Sequence, residues 1–491
     1  MLRFSWCRLC SSTATVASSM APDVVAAAKA QSTHLDDLSP RRIAAILDSY
    51  VVGQAEGKRA VAISLRNRWR RRQIKDEGLR QDILPKNILL VGPTGVGKTE
   101  ISRRMAKLTD APFVKVEATK YTEVGFKGKD VESIIEDLYT NAKTKAKRRL
   151  ELEREQEALA MALDVVFNGW VLRRRATGAY GNSSSSSNSD DDDVRGPLSD
   201  VTFEEFKERY KTDYKDDLVV IEVTQQPMNT KPSIGPGGVD MTSVGALFVF
   251  GSEPRRVKSR VTKRVEEAVP LALQEALDRL VDEAQINALA RTLAEQDGVV
   301  FVDEIDKVVT EPSSPNADVS STGVQQDLLP LIEGSNVTMK DGSQINTDNI
   351  LFICSGAFHT AKTSDMIAEL QGRLPVRVEL HALKEEDIRR ILCEPKFNLL
   401  LQQKALMKAE NVDVEFTEDA IDELARVTTR VNANGQNIGA RRLHTIIERV
   451  MDEYSFDCQK YEGTKVIIDA KVVENATDEL QKNINLAKYL L

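Results

Sequence analysis

Asn87-Ile88-Leu89-Leu90-Val91-Gly92-Pro93-Thr94-Gly95-Val96-Gly97-Lys98-Thr99-Glu100 reads as a short apolar strand, a glycine-rich turn and the start of a helix. Gly92, Gly97, Lys98 and Thr99 satisfy the spacing G-x-x-x-x-G-K-[ST] of a phosphate-binding loop. Phosphate oxygens need several backbone N–H donors converging on them, and glycines let a turn wrap that closely. The N-terminus of the following helix adds a favourable partial positive charge. In this pattern Lys98 reaches the outer phosphates and the Thr99 hydroxyl ligates Mg²⁺. The stretch implies a nucleoside triphosphate site on an α/β core.

At 491 residues, 41% hydrophobic and 29% charged, with a net charge of −8, the chain has the composition of a multidomain soluble protein. Its apolar runs are too short to span a bilayer, so no membrane partner is expected. The acidic balance argues against nucleic acid as the main partner. Five cysteines are scattered, and the single C-x-x-C, Cys7 and Cys10, lacks the second pair of a zinc site. Four histidines are equally scattered, and no nucleophile elbow or metal motif marks a protease site within the chain.

A phosphate loop requires a second strand ending in acid, to hold Mg²⁺ and the attacking water opposite the phosphates. Val299-Val300-Phe301-Val302-Asp303-Glu304 supplies it: four apolar residues suit a buried parallel strand. Asp303 would hold Mg²⁺ directly or through water, and Glu304 would act as general base. Asp303 follows Lys98 by 205 positions, too many for a compact nucleotide core, so a domain is inserted. Residues 142–160 have the charge density and helix formers of a helix leaving the core. Ser183–Ser187 and Asp190–Asp193 are low-complexity and are expected to be disordered. A long amphipathic pattern returns over Val265–Leu293, with Pro270 expected to break or cap it. These boundaries give a mostly helical insertion at 158–288, core segments at 34–157 and 289–380, and a C-terminal domain at 381–491.

The first 22 residues carry Arg3 and Arg8, seven Ser or Thr and no acid, the composition of an organellar transit peptide. Residues 1–33 are therefore read as a leader, and the mature chain is expected in the mitochondrial matrix. Ser39-Pro40 opens a helix whose Ile43, Ile46, Leu47 and Tyr50 share one face. A second helix, about Glu56 to Gln73, holds Lys58, Arg59, Arg66, Arg68, Arg70, Arg71 and Arg72. A solvated or subunit-contacting face and a nucleic-acid face both fit that charge, although no recognition motif accompanies it. Gly125-Phe126-Lys127-Gly128 puts an aromatic ring on a turn between glycines. Such a ring either tucks into a neighbouring surface or grips a partner.

Further on, Asn349–Ser355 is another apolar strand, whose end either places Ser355 near a γ-phosphate or is a plain strand end. Glu369-Leu370-Gln371-Gly372-Arg373-Leu374-Pro375 sets an arginine on a tight turn with no local acid. Asn437–Leu443 starts a helix with Arg441 and Arg442 in its first turn, where cations are disfavoured and call for an anionic partner. Helices are expected near 384–409, 417–430 and 440–455 in a separate domain that closes over the nucleotide.

GPTGVGKTE, KVEATKYTEVGFKGKD, VFVDEIDK, ELQGRLPVRVEL and NIGARRLHT together resemble the HslU (ClpY) family, over about residues 39–491 excluding much of the insertion. The resemblance implies an AAA+ P-loop core with a parallel sheet, an inserted domain and a C-terminal α-helical (α+β) domain. It implies a homo-hexamer that uses ATP and Mg²⁺ to unfold protein substrates and thread them into a double ring of HslV-type threonine peptidase. By the same resemblance Val52 packs on the adenine, and Gly95, Val96, Gly97, Lys98, Thr99 and Glu100 bind phosphates. Asp303 and Glu304 are the Walker B acids, and Glu369 contacts nucleotide. Arg373 is the arginine finger given to the neighbouring subunit, Arg441 the sensor arginine, and Gly125–Gly128 the pore loop. The family pattern in that loop is Gly-Tyr-Val-Gly, so Lys127 adds a charge to the channel. The apolar end, Asn485–Leu491, matches a tail that docks between peptidase subunits. A ClpX-like unfoldase is the alternative, disfavoured because no N-terminal four-cysteine module is present.

Overall fold

The computed structural model describes residues 39–121, 129–180, 201–225, 257–309, 319–434 and 437–482. The leader, the Phe126 loop, the Ser/Asp tract at 182–193 and the tail from Asn485 lie outside those residues. The chain divides into two compact units, one drawn from residues up to 143 and from 290 onward, the other spanning 144–289.

In the first unit, α1 (Pro40–Asp48) starts where the sequence places it. Ser39 Oγ accepts from Arg42 N at 3.3 Å, Pro40 fills the first helical position, and Ile43 and Leu47 are fully buried. It packs on α2 (Ala55–Arg72), which leads through the short α3 (Glu77–Asp82) to β1 (Ile88–Val91). The phosphate-loop sequence then turns into α4 (Lys98–Leu108), followed by β2 (Phe113–Glu117) and the long α5 (Ser133–Tyr180).

The second unit contains the outer part of α5, α6 (Phe203–Arg209), β3 (Leu218–Gln225), β4 (Val257–Arg264) and α7 (Val265–Leu280). Its core is aromatic: Trp170 and Phe206 stand 5.4 Å apart, and the indole N–H donates to Asp217 at 2.8 Å. Within this mostly helical insertion β3 and β4 form an antiparallel ribbon that was not anticipated, since 31 intervening positions hid their pairing. Pro270, expected to break or cap the helix, lies inside α7 as its sixth residue without ending it. The interruption falls instead at Val281, before α8 (Glu283–Asp297).

After α8 the chain enters β5 (Val299–Asp303), a 3₁₀ turn at Ile305–Val308 and α9 (Val319–Glu333). The hairpin β6 (Asn336–Thr338) and β7 (Gln344–Asn346), β8 (Leu351–Gly356), α10 (Ala368–Arg373) and β9 (Val376–Glu379) complete the sheet region. The central sheet runs β2-β5-β8-β1-β9, with every neighbouring pair parallel. Parallel strands covered on both faces need continuous apolar runs, which ILLV, VVFV and LFIC supply. Phe301 and Phe352 are 1% exposed or less, and each such side chain contributes roughly 1.5–3 kcal/mol on burial. The register sets Leu90 beside Ser355 and Glu117 beside Asp303, so the polar residues collect at one edge, the C-terminal ends of the strands.

The last segment holds α11 (Glu385–Cys393), α12 (Leu399–Ala409), β10 (Asp413–Phe416), α13 (Glu418–Asn434), α14 (Arg441–Phe456), β11 (Lys465–Ile468) and α15 (Ala470–Lys482). The helix expected over 384–409 is two helices, because Asn398 caps a new start by accepting from Leu401 N at 2.8 Å. The parallel pair β10–β11 and α15 were not anticipated: four-residue strands paired at an offset of 52 positions leave no local signature. Among the described residues no helix is long and apolar enough to cross a membrane.

Two members of the basic run on α2, Lys58 and Arg68, are absorbed into the fold, while Arg59 and Arg70 stay exposed. Arg68 is buried and donates to the carbonyls of Gln296 (2.6 Å), Asp297 (3.3 Å), Gly298 (3.1 Å) and Asn349 (3.3 Å). Those are largely the orphan carbonyls at the C-terminus of α8, where partial negative charge accumulates. Burial pulls its guanidinium down to about 10, against the attraction of Asp297, and it stays charged at neutral pH. Lys58 is likewise buried against Asp48 and the Val51 carbonyl, and Arg72 pairs with Asp297. Arg68→Ala is expected to cost about 3 kcal/mol by stranding buried carbonyls. A lower midpoint for the first thermal transition, followed by circular dichroism, would register it; an unchanged midpoint would mean that water replaces the guanidinium.

Candidate nucleotide site

The loop after β1 adopts the conformation its glycines permit. Gly95 (φ +77°) and Gly97 (φ +99°) are left-handed, and a Cβ at Gly95 would lie 1.9 Å from the Ile438 carbonyl oxygen. Gly97 is the N-cap of α4, so the free N–H groups of the first helical turn open toward the loop. Beside it lies a cavity of about 810 Å³. Its walls bring together residues from distant parts of the sequence: Val52, Gly95–Glu100, Asp303, Glu304 and Arg441 all line it.

Lys98 is buried and donates to the carbonyls of Gly92 and Pro93, the latter at 3.1 Å. Burial lowers its pKa, opposed by Asp303 and Asp306. The Thr99 hydroxyl donates to Asp303 Oδ2 at 3.3 Å. Asp303 also accepts from the Ser355 hydroxyl at 2.5 Å and from Glu304 N at 3.2 Å, and Lys115 stands 3.1 Å from Oδ2. Burial works to raise its pKa, but these donors outweigh it and hold the carboxyl below its usual range. A hydroxyl and an ionised carboxylate so close together form the oxygen donor set that suits a hard cation such as Mg²⁺. Glu304 follows in a left-handed conformation (φ +57°), which is strained for a non-glycine residue and recurs at working sites.

The far end of the cavity is apolar, with Val51, Val52, Leu383, Ile391 and Pro395. Tyr50 stands there with the Arg104 guanidinium 4.3 Å from its ring. Glu100 lies on the cavity wall with its carboxylate held by Arg103 and Arg104, so what it offers a phosphate is its backbone. The C-terminal segment closes the other side: Ala440 N donates to the Gly95 carbonyl at 3.1 Å, next to Arg441.

Some expected residues do not gather here. Arg442 was expected to need an anion, but it is buried and its Nε donates to the Asn432 amide oxygen at 3.3 Å, away from the cavity. Ser355 is turned onto Asp303 and does not line the cavity. Glu369 and Arg373 sit on α10, outside it. Arg373 ends a helix rather than standing on a bare turn, and it does have a local acid: Glu333 Oε1 accepts from its Nε at 2.9 Å. Sequence reasoning also missed Lys115, Asp306, His359 and His444. Lys115 pairs in register with Phe301, two positions before Asp303, and alternation in FVKVE is the one signal that could have placed it on that face.

The parallel sheet, the phosphate loop after β1 and the acid-ended strand β5, separated from β1 by β8, define an ATPase of the AAA class. Residues 88–150 match the family described as ATPase family associated with various cellular activities (AAA), and residues 218–388 match AAA domain (Cdc48 subfamily). A Trypanosoma brucei brucei protein, "ATP-dependent protease ATPase subunit HslU2", is 78% identical over 497 aligned residues, covering 100% of both chains. "ATP-dependent protease ATPase subunit HslU1" of the same organism is 44% identical over 461, covering 94% of this chain and 90% of its own. The HslU of Cereibacter sphaeroides is 46% identical over 462, covering 93% and 100%. The chain belongs to the HslU family.

Proposed function

We propose that this chain is the ATP-driven unfoldase of a two-component protease. It assembles as a homo-hexamer and passes unfolded protein substrates to an HslV-type threonine peptidase double ring. The observation that carries the reading is the convergence of Lys98, Thr99, Asp303, Glu304 and Arg441 on one cavity, with Arg373 presented elsewhere. Bound ATP supplies the anhydride whose hydrolysis drives motion, and Thr99 and Asp303 would hold Mg²⁺, which would supply charge neutralisation at the phosphates. Backbone donors from Gly95 to Glu100 and the Lys98 ammonium hold the phosphates, and Val52 packs on the base. Glu304 takes the proton from the attacking water, Arg441 senses the phosphates from α14, and Glu369 and Arg373, both on α10 outside their own chain's cavity, reach the nucleotide of the adjoining subunit, whose site Arg373 completes.

The Gly125–Gly128 loop, with Phe126 at its centre, grips substrate in the central channel, and Lys127 modifies which substrates it prefers. Residues 158–288 form the inserted domain and 381–491 the C-terminal domain, with the final residues docking on the peptidase. The composition of residues 1–33 supports a location of the mature protein in the mitochondrial matrix. Relatives of 44–78% identity named HslU favour this partner over that of a ClpX-like unfoldase.

The test is reconstitution with an HslV-type peptidase. ATP-dependent degradation of a tagged folded protein is expected, and Phe126→Ala is expected to keep ATP hydrolysis while losing degradation. Normal unfolding by Phe126→Ala would end the gripping role, and no stimulation of the peptidase would end the partnership.

A further inference from the structure

We propose that Glu333 is the positioning residue of Arg373, aiming its guanidinium out of the protomer toward the adjoining copy's nucleotide site; this rests on the reading of Arg373 as the finger. The ion pair is made through Nε, at 2.9 Å to Glu333 Oε1. Anchoring Nε fixes the plane of the guanidinium and leaves its two terminal nitrogens at the outer edge, the fork that recognises phosphate oxygens.

The backbone of Arg373 is fixed independently. The side chain of Asn87, 6% exposed, donates to the Arg373 carbonyl at 3.3 Å and accepts from Phe352 N at 3.0 Å. Asn87 directly precedes β1, so the root of Arg373 is tied to the strand that carries the phosphate loop of its own subunit. What remains free is the side chain's own rotation, and Glu333 restricts that.

The position of Glu333 is set with equal care. Gln325, 2% exposed, donates to the Val308 carbonyl at 2.8 Å and accepts from Ile367 N at 3.1 Å. It thereby ties α9 both to the turn after Asp303 and Glu304 and to the residue preceding α10. Glu333 is the last residue of α9, an end where a carboxylate is disfavoured by the helix dipole. Its placement there is explained by the cation it holds.

The full chain is compared as Glu333→Gln, Glu333→Asp, Arg373→Ala and the Glu333→Gln/Arg373→Ala double variant. Readouts are steady-state kcat and KM, single-turnover hydrolysis, equilibrium binding of a fluorescent ATP analogue, and Tm. The paired side chains are 44% and 37% exposed, so the anchor is at the weak end of charged pairs. Glu333→Gln should lower kcat about fivefold, leaving analogue affinity and Tm unchanged. Glu333→Asp should recover part of the loss, and Glu333→Gln should add nothing to Arg373→Ala in single turnover. An unchanged or raised kcat in Glu333→Gln, or a further loss on top of Arg373→Ala, overturns the proposal. Normal turnover by Arg373→Ala would instead remove the finger reading, and the positioning role with it. An inactive Arg373→Ala beside a fully active Glu333→Gln removes the positioning role alone.

Discussion

Arg373→Ala is expected to cut ATP turnover by roughly 10³- to 10⁵-fold while nucleotide still binds. A loss of that size is about 4–7 kcal/mol of transition-state stabilisation, far more than the residue contributes to its own fold. Its structural role is a half-exposed ion pair with Glu333, the kind that contributes about 1 kcal/mol or less to stability. Arg373 does not line the cavity formed by Lys98, Thr99 and Asp303 on the same chain, so the ground-state contacts of that cavity survive its removal. The loss should therefore fall on kcat, with analogue affinity and Tm close to those of the unaltered chain. Near-normal hydrolysis by Arg373→Ala would sink the finger assignment. A large loss of affinity without loss of kcat would recast the residue as a ground-state contact.

How far the sequence foretold this arrangement depended on whether the controlling interaction was local. The phosphate loop was legible because glycine positions, the lysine and the hydroxyl act within one turn. β5 was legible because four consecutive apolar residues meet an acid pair at its end. The pairing of β3 with β4 was not, since antiparallel register across 31 intervening positions leaves no trace in either strand alone. The basic run on α2 suggested an outward face, yet Arg68 points into the carbonyl end of a helix more than 200 positions away. Charge in a sequence does not state which side of a helix it occupies once the partner is a backbone dipole. The Arg373–Glu333 and Lys115–Asp303 pairs failed to appear for the same reason. Each joins residues whose proximity is created by the sheet or by the α9–α10 contact, and neither spacing carries a motif.

Glu304→Gln is expected to bind ATP and hydrolyse it roughly 10²- to 10⁴-fold more slowly, the range lost with a general base. The substitution keeps the volume, the left-handed backbone and the N–H that closes on Asp303 Oδ1 at 3.2 Å, so the donor set at Thr99 and Asp303 stays intact. What it removes is the group able to take a proton at the wall of the cavity. Combining the two variants tests whether sites are shared between subunits. A Glu304→Gln subunit still carries Arg373, and an Arg373→Ala subunit still carries Glu304, so each can supply what its neighbour lacks. In the proposed ring, assembled from equal amounts of both, about one interface in four is complete, as head-to-tail contacts require. Mixed rings should therefore hydrolyse ATP well above either variant alone, by single-turnover measurement after co-assembly. If mixing recovers nothing although the two chains are shown to co-assemble, Arg373 does not complete a neighbour's site, and the cavity around Lys98 must complete its chemistry from within one chain.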